Sequence, residues 1–388
     1  MTEPYAYCPI DRTSGEIRLL ILQSNNDEGI IKCDMQTCDS EARPPYTALS
    51  YTWGPDTTYN HIEINGLNVS VRENLWDFLH QQQLHSNYGP FWIDALCIQY
   101  SDISERNHQA QLMSSIYSKA QTVLIWLGKE GDDSDIAMRL LEVQDTIFWV
   151  HSPYTLDEDS KRLIPNTIGR RVRVLSSVEE CSIQSLCKRK YWSRMWIIQE
   201  TMLASYLEIY CGSKSVPLSN LMLALEDIAD AVTFYRPESA SFREDVVASP
   251  AMNLISGIRF IAQRRDENTP RVSVRFPDLL EKYGDHECGD VRDKVYALTG
   301  LASYGRNINI DYRKSTKEVL IDLLYHEGNR MKWLIDPRGK RRWKGDELFK
   351  FAQLLSRVLY VPLSETEIQF HVSQSESIAM FRDWEEWD

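Results

Sequence analysis

The chain lacks the short motifs that announce several large enzyme classes. No GxGxxG occurs, so a Rossmann dinucleotide fold is unsupported. No Walker A segment, HExxH or GxSxG is present, which weighs against P-loop phosphate hydrolysis, zinc proteolysis and ordinary serine hydrolysis. Basic residues are in deficit: 43 Lys and Arg stand against 56 Asp and Glu, a net charge of −13. That balance argues against a nucleic-acid binder working by phosphate neutralisation, and against docking on anionic lipid. No apolar run approaches bilayer-spanning length, and residues 1–22 lack the charged-then-apolar order of a secretory leader. The eight cysteines include no CxxC and no Cys/His pair at zinc spacing. They read as free thiols of a reducing compartment, which predicts a cytoplasmic protein.

What is present suits a large folded core. The chain has 388 residues, 43% of them hydrophobic, with 11 Trp and 19 Tyr. Apolar runs at 17–23, 46–52, 91–96, 122–127 and 206–211 predict strands, and a further short strand is expected near 29–33. Asn65-Gly66 between alternating segments predicts a hairpin over 61–71. Helical periodicity appears over 74–84, over the stretch after Ser104, which offers a cap, and over 135–148 and 191–204. Alternating strand and helix imply an α/β fold with a parallel sheet flanked by helices. The expected organisation is N-terminal strands over 1–45 and a domain over 46–214. An insertion covers 129–190, and a mainly helical region covers 215–388.

In such sheets ligands bind beyond the carboxyl ends of the strands. That rule selects Ser50, Tyr51, Trp53 and Gly54 after one strand, then Asp94, Cys97, Gln99 and Asp102 after the next, and Gly128 after the third. Cys97 has no evident His base and reads as a buried thiol. Glu105 sits at a helix start, where the dipole alone favours it. The cluster Asp285-His286-Glu287-Cys288 matches no ligand spacing and reads as a solvated loop, so no metal is expected.

The stretch 191–200, YWSRMWIIQE, is the most informative. On a continuous helix Trp192, Trp196 and Glu200 share one stripe. Two indoles and a carboxylate could hold a nucleotide and stabilise a developing positive charge. The alternative reading places both tryptophans in the core, with Glu200 solvated or paired to an arginine such as Arg194.

These blocks carry a family resemblance. YTALSYTWG (46–54), NLWDFL (74–79), the run 91–128 that opens FWIDALCIQY, and YWSRMWIIQETMLA (191–204) resemble successive blocks of the fungal heterokaryon-incompatibility (HET) domain. Where that family commonly has CINQ, this chain has Cys97-Ile98-Gln99-Tyr100. The HET domain is in turn remotely similar to TIR domains, whose fold is flavodoxin-like and some of which cleave NAD. LSYTWG resembles their first-strand segment, and WIIQE (196–200) resembles the stretch that carries their catalytic Glu. The resemblance implies fungal non-self recognition and regulated cell death, with NAD or a related nucleotide as substrate and no permanently bound cofactor. On that reading Glu200 is the catalytic carboxylate, and Ser50, Tyr51, Trp53, Gly54, Asp94, Gln99, Trp192 and Trp196 line the ligand. Self-association or an upstream activator is expected. The alternative is a non-catalytic module that self-associates or binds a partner.

Overall fold

The computed structural model describes residues 7–24, 29–39, 43–142, 147–149, 171–173, 175–230, 240–263, 274–302, 308–332 and 345–382. The expectations for 151–170 and for the acidic end 383–388 lie outside them. The chain divides into two compact units, one comprising 1–100 and 115–263, the other 101–114 and 264–388.

The first unit is built on a nine-stranded sheet. Its strands in chain order are β1 (Ile17–Leu22), β2 (Lys32–Cys38), β3 (Thr47–Tyr51), β4 (Tyr59–Ile64), β5 (Leu67–Arg72), β6 (Phe91–Trp92), β7 (Thr122–Trp126), β10 (Leu207–Cys211) and β11 (Lys214–Pro217). Two further short strands, β8 (Ile147–Trp149) and β9 (Arg171–Arg173), pair in parallel apart from it. The spatial order is β11-β10-β7-β3-β6-β1-β2-β4-β5. The central strands β10, β7, β3 and β6 run parallel. Numbered by their own order along the chain, those four lie 2-1-3-4, the order of a flavodoxin-like sheet. The direction of strand succession reverses between β3 and β7, and such a switch point opens a crevice at the carboxyl ends.

Local sequence explains each piece. Asn65 and Gly66 both have positive φ, 51° and 80°, as a tight two-residue hairpin turn requires, and they join β4 to β5. Helix α1 (Glu73–Leu84) buries Leu75, Phe78 and Leu79 against the sheet face that presents Leu49, Tyr51, Leu124 and Trp126. With a side-chain period of two, Ala48 and Ser50 face the opposite way. Helix α3 (Ile103–Lys119) ends on that strand: the Tyr117 hydroxyl donates to the Leu49 carbonyl at 3.0 Å, and the Tyr46 hydroxyl to that of Ile116 at 2.5 Å.

The structure corrects several expectations. The strand expected over 91–96 is only Phe91–Trp92, and Asp94–Cys97 turns into a short helix, α2, because Asp94 favours a first helical turn over a ladder position. Asp102, not Ser104, opens α3, its Oδ1 accepting from the amides of Ser104 (2.9 Å) and Glu105 (3.2 Å). The strand near 29–33 runs instead over Lys32–Cys38, which pairs along the whole of β1. The helix expected over 135–148 is Ser134–Glu142 (α4), and 147–149 is extended. The helix expected over 191–204 is interrupted. A 3₁₀ turn, Lys190–Ser193, is followed by Arg194 in extended conformation, and only Ile197–Met202 is α-helical.

The second unit is helical. Apart from 101–114 it contains helices Phe276–Tyr283, Asp293–Tyr296, Thr316–Lys332, Gly345–Val358 and Glu365–Arg382. Two of these begin with the same reciprocal cap, Ser315 with Glu318 and Ser364 with Glu367, each serine hydroxyl and glutamate carboxylate serving the other's amide. The segment Ile308–Tyr312 lies along the first turns of α3. Gln111 accepts from the Ile310 amide at 2.9 Å, and Asn107 both accepts from the Tyr312 amide (2.9 Å) and donates to Asp311 (2.8 Å). His286 is buried, with Nδ1 3.1 Å from the Tyr283 carbonyl, whereas Asp285 and Glu287 are exposed. The 285–288 stretch is therefore not a uniformly solvated loop.

Candidate functional site

Ser50 is fully buried near the carboxyl end of β3, on the face away from α1. A hydroxyl there must find a partner, since an unpaired buried polar group is costly. It finds two. Ser50 Oγ donates to Glu200 Oε2 and lies 2.7 Å from the Tyr191 hydroxyl. Ser50 has one proton to give, so with Glu200 ionised Tyr191 is the donor in the second bond. The result is a chain from Tyr191 through Ser50 to Glu200, each member 1% exposed or less.

Two short elements deliver these groups. Tyr191 comes from the 3₁₀ turn and Glu200 from the helix Ile197–Met202, while the extended Arg194 lies between them. Arg194 Nη1 donates to the Tyr51 carbonyl at the rim of β3 and stands 3.9 Å from Glu200 Oε2. Burial pushes the Glu200 pKa up to about 7, against the opposing pull of Arg194 and the Ser50 bond. Burial also works against the Arg194 charge, but Glu200 and Asp94 outweigh it and hold the guanidinium pKa above its ordinary value.

A second carboxylate stands at the same rim. Asp94 is 8% exposed; its Oδ2 accepts from Trp53 Nε1 at 2.9 Å and its Oδ1 from the Ala95 amide at 2.7 Å. Burial raises its pKa, opposed by Arg194 and the Trp53 bond. Trp53 is half-buried, packed edge-on to Tyr100 with centroids 5.2 Å apart, and the Arg72 guanidinium lies 5.4 Å from its ring. Arg72 Nη1 also donates to the carbonyl of Gly54, at 3.0 Å, where φ is +79°. The turn after β3 is thereby held open at a conformation that suits glycine.

The structure thus brings Ser50, Tyr51, Trp53, Gly54, Asp94 and Glu200 to one strand end. Gln99 is half-buried just beyond α2, and Tyr100 of the departing Gln99-Tyr100 pair packs on Trp53. Trp192 does not join a ligand wall. It is fully buried, and its Nε1 donates to the Leu186 carbonyl at 2.7 Å. Trp196 is half-buried, and with the helix broken at Arg194 it forms no continuous stripe with Trp192 and Glu200. Cys97 is buried with its thiol pushed up to about 12, mainly by desolvation, so it is inert as a nucleophile. The residues that spacing alone missed are Tyr191 and Arg72. Neither carries a periodic signal, because each reaches the rim from an irregular element or a strand end.

A groove of about 430 Å³ lies between Ile136, Arg139 and Leu140 of α4 and Ser176, Val178 and Glu179 at the start of the helix Ser177–Cys187. None of its lining residues belongs to the cluster. No group of three or more His, Cys, Asp or Glu side chains suited to a metal ion occurs among the described residues.

These features define an α/β domain with a buried acid, hydroxyl and guanidinium cluster at its topological switch point. Residues 46–200, which hold the whole cluster, match the family described as heterokaryon incompatibility protein (HET). It is 31% identical over 325 residues to "Heterokaryon incompatibility protein 6, OR allele" from Neurospora crassa, an alignment covering 73% of this chain and 47% of that protein. The chain therefore spans about half the length of this curated relative. No solved structure matches. Among the described residues no helix is long and apolar enough to cross a membrane.

Proposed function

We propose that this protein acts in fungal non-self recognition leading to regulated cell death, and that it cleaves NAD at the nicotinamide–ribose bond. The family match and the name of the Neurospora relative support the first part. One observation carries the second: Glu200 is held by Ser50 at the carboxyl end of β3, beside the switch point, with a pKa near neutrality. The resemblance of 196–200 to the catalytic stretch of TIR enzymes selects the same residue.

The chemistry follows from charge. Breaking the nicotinamide–ribose bond builds an oxocarbenium-like ribosyl cation, as in glycoside hydrolysis. Nicotinamide leaves as a neutral ring and needs no acid. Ionised Glu200 accepts from the ribose hydroxyls and stabilises the cation. Water then adds to the ribosyl carbon, and its proton passes to Glu200 and on to solvent. Half-buried Trp53 and Trp196 offer stacking faces for the bases, and Trp192 does not. Entry of the ribose displaces Ser50 from Glu200, so the bound state differs from this closed one.

That closure favours a second reading. A carboxyl 1% exposed and already hydrogen-bonded is also what a purely structural cluster contains. On this reading the domain self-associates, or binds an activator, without chemistry. Nicotinamide release from NAD by the purified chain, with and without a crowding agent that promotes assembly, separates the two. Release by wild type that falls at least 10²-fold in Glu200→Gln supports cleavage. An assembled protein that leaves NAD intact supports the non-catalytic module.

A further inference from the structure

Two polar groups at the rim of β3 have bonding capacity that the protein does not use. Arg194 has five N–H donors, and among the described residues it donates one hydrogen bond, from Nη1 to the Tyr51 carbonyl. Its ion-pair partner among the described residues, Glu200, stands at the loose distance of 3.9 Å. Its side chain is 17% exposed, so the unused edge of the fork reaches the surface. The Tyr51 side chain is 2% exposed, yet its hydroxyl makes no hydrogen bond among the described residues. It lies within electrostatic reach of Asp94, Arg194, Arg72 and Glu200. It is not among the buried atoms that lack a partner, so it reaches the surface and is open to a ligand.

The two groups straddle one strand end. Tyr51 packs on the α1 face of the sheet, Ser50 and Glu200 lie on the other, and Arg194 sits at the rim between them. Neighbouring acids are already satisfied: both oxygens of Asp94 accept hydrogen bonds, and Arg72 is anchored on Gly54 and on Asp56 at 3.0 Å. What remains free is a guanidinium edge and a phenol on one side of the rim, with an acceptor carboxylate on the other.

We infer that this rim recognises a ribose 5-phosphate unit, with the phosphate on the free edge of Arg194 and the Tyr51 hydroxyl and the sugar hydroxyls on Glu200. A planar fork suits a tetrahedral oxyanion better than a point charge does. A carboxylate accepts hydroxyl protons, so a ligand that engages both the guanidinium and Glu200 needs a hydroxylated part as well as an anion. The inference rests on reading the cluster as a ribosyl site. It adds that the 5-phosphate, and not the base alone, is what the site selects.

The test is equilibrium binding to the full chain, followed by thermal stabilisation and calorimetry, with ribose 5-phosphate, ribose and inorganic phosphate as probes. Ribose 5-phosphate should bind at least tenfold more tightly than either of the others. Arg194→Gln should reduce that preference to about twofold, Arg194→Lys should retain part of it, and Tyr51→Phe should weaken ribose 5-phosphate about fivefold. Three results would overturn the inference: equal binding of ribose and ribose 5-phosphate, inorganic phosphate matching the sugar phosphate, or a preference that survives Arg194→Gln in a folded variant. The outcome is separable from NAD cleavage. Arg194-dependent sugar-phosphate binding without nicotinamide release would end the hydrolase reading alone. NAD cleavage with an unchanged KM in Arg194→Gln would end this inference alone.

Discussion

Arg194 and Arg292 sit in polar clusters of comparable make-up and are connected in opposite ways. Arg292, in the helical unit, makes four side-chain hydrogen bonds. Its Nε and Nη2 grip Asp290 at 2.8 and 2.7 Å, and its Nη1 serves the carbonyls of Tyr312 (2.5 Å) and Lys314 (2.6 Å). Around it the Tyr312 hydroxyl donates to Asp293 at 2.6 Å, and Arg106 stacks 3.5 Å from the Tyr312 ring. Arg194, at the sheet rim, donates once to a carbonyl and stands loosely beside one carboxylate. A saturated network fixes a fold, whereas an unsaturated one in a closed setting leaves free energy to be gained from a ligand. Contacts between residues 290–296 and 311–314 thus brace the helical unit.

The difference can be broken or sharpened by substitution. The largest stability effect is expected from Arg292→Ala, which removes two hydrogen bonds to Asp290 and leaves two carbonyls unserved, and should cost about 3 kcal/mol in urea unfolding. Arg194→Gln should cost less than about 1 kcal/mol, because only one bond is lost. Equal losses at the two sites would erase the contrast.

Next comes a pH effect confined to the rim. The Glu200 pKa is raised from 4.5 to about 7, so the folded state holds this proton more tightly than the unfolded chain. The stability this contributes is full below about pH 4.5, is lost as pH rises to about 7, and is constant beyond. Glu200→Gln should therefore match wild type at pH 4.5 and exceed it by up to about 3 kcal/mol at pH 8. A pH-independent difference would show that the carboxyl is not strained by burial.

Asn107→Ala removes two hydrogen bonds that hold 311–312 to α3, and should cost about 1–2 kcal/mol. Tyr51→Phe is the smallest effect, within about 0.5 kcal/mol in unfolding, because its hydroxyl has no protein partner to lose. A loss above 1.5 kcal/mol would show that the hydroxyl is structurally bonded.

Much of this architecture was legible in the residues. Strands such as TALSY (47–51) and TVLIW (122–126) are buried on both faces, as a parallel sheet demands, and Asn65-Gly66 fixes its hairpin. The rule that ligands gather beyond strand ends selected Ser50, Trp53 and Asp94 before any geometry was known. Periodicity misled where the chain is irregular. A helical count through 191–204 put Trp192 beside Glu200, but Arg194 adopts an extended conformation and turns Trp192 into the core. The helical count selects Glu200 by way of an indole stripe, whereas in the structure it faces Ser50 across the strand end. The pairing of Ile308–Tyr312 with α3 joins residues about 200 positions apart. It is made by side-chain amides on backbone groups, and no local pattern encodes such a contact.

We propose that the buried Glu200 carboxyl, beside the end of β3, performs chemistry on a ribosyl bond. The most direct measurement is the rate of nicotinamide release from NAD by the full chain and by Glu200→Gln, compared at pH 8 under assembling conditions. The account predicts turnover by wild type and a loss of roughly 10²–10³-fold in a variant that remains folded. Equal rates in the two proteins would contradict it, as would an intact NAD pool in both.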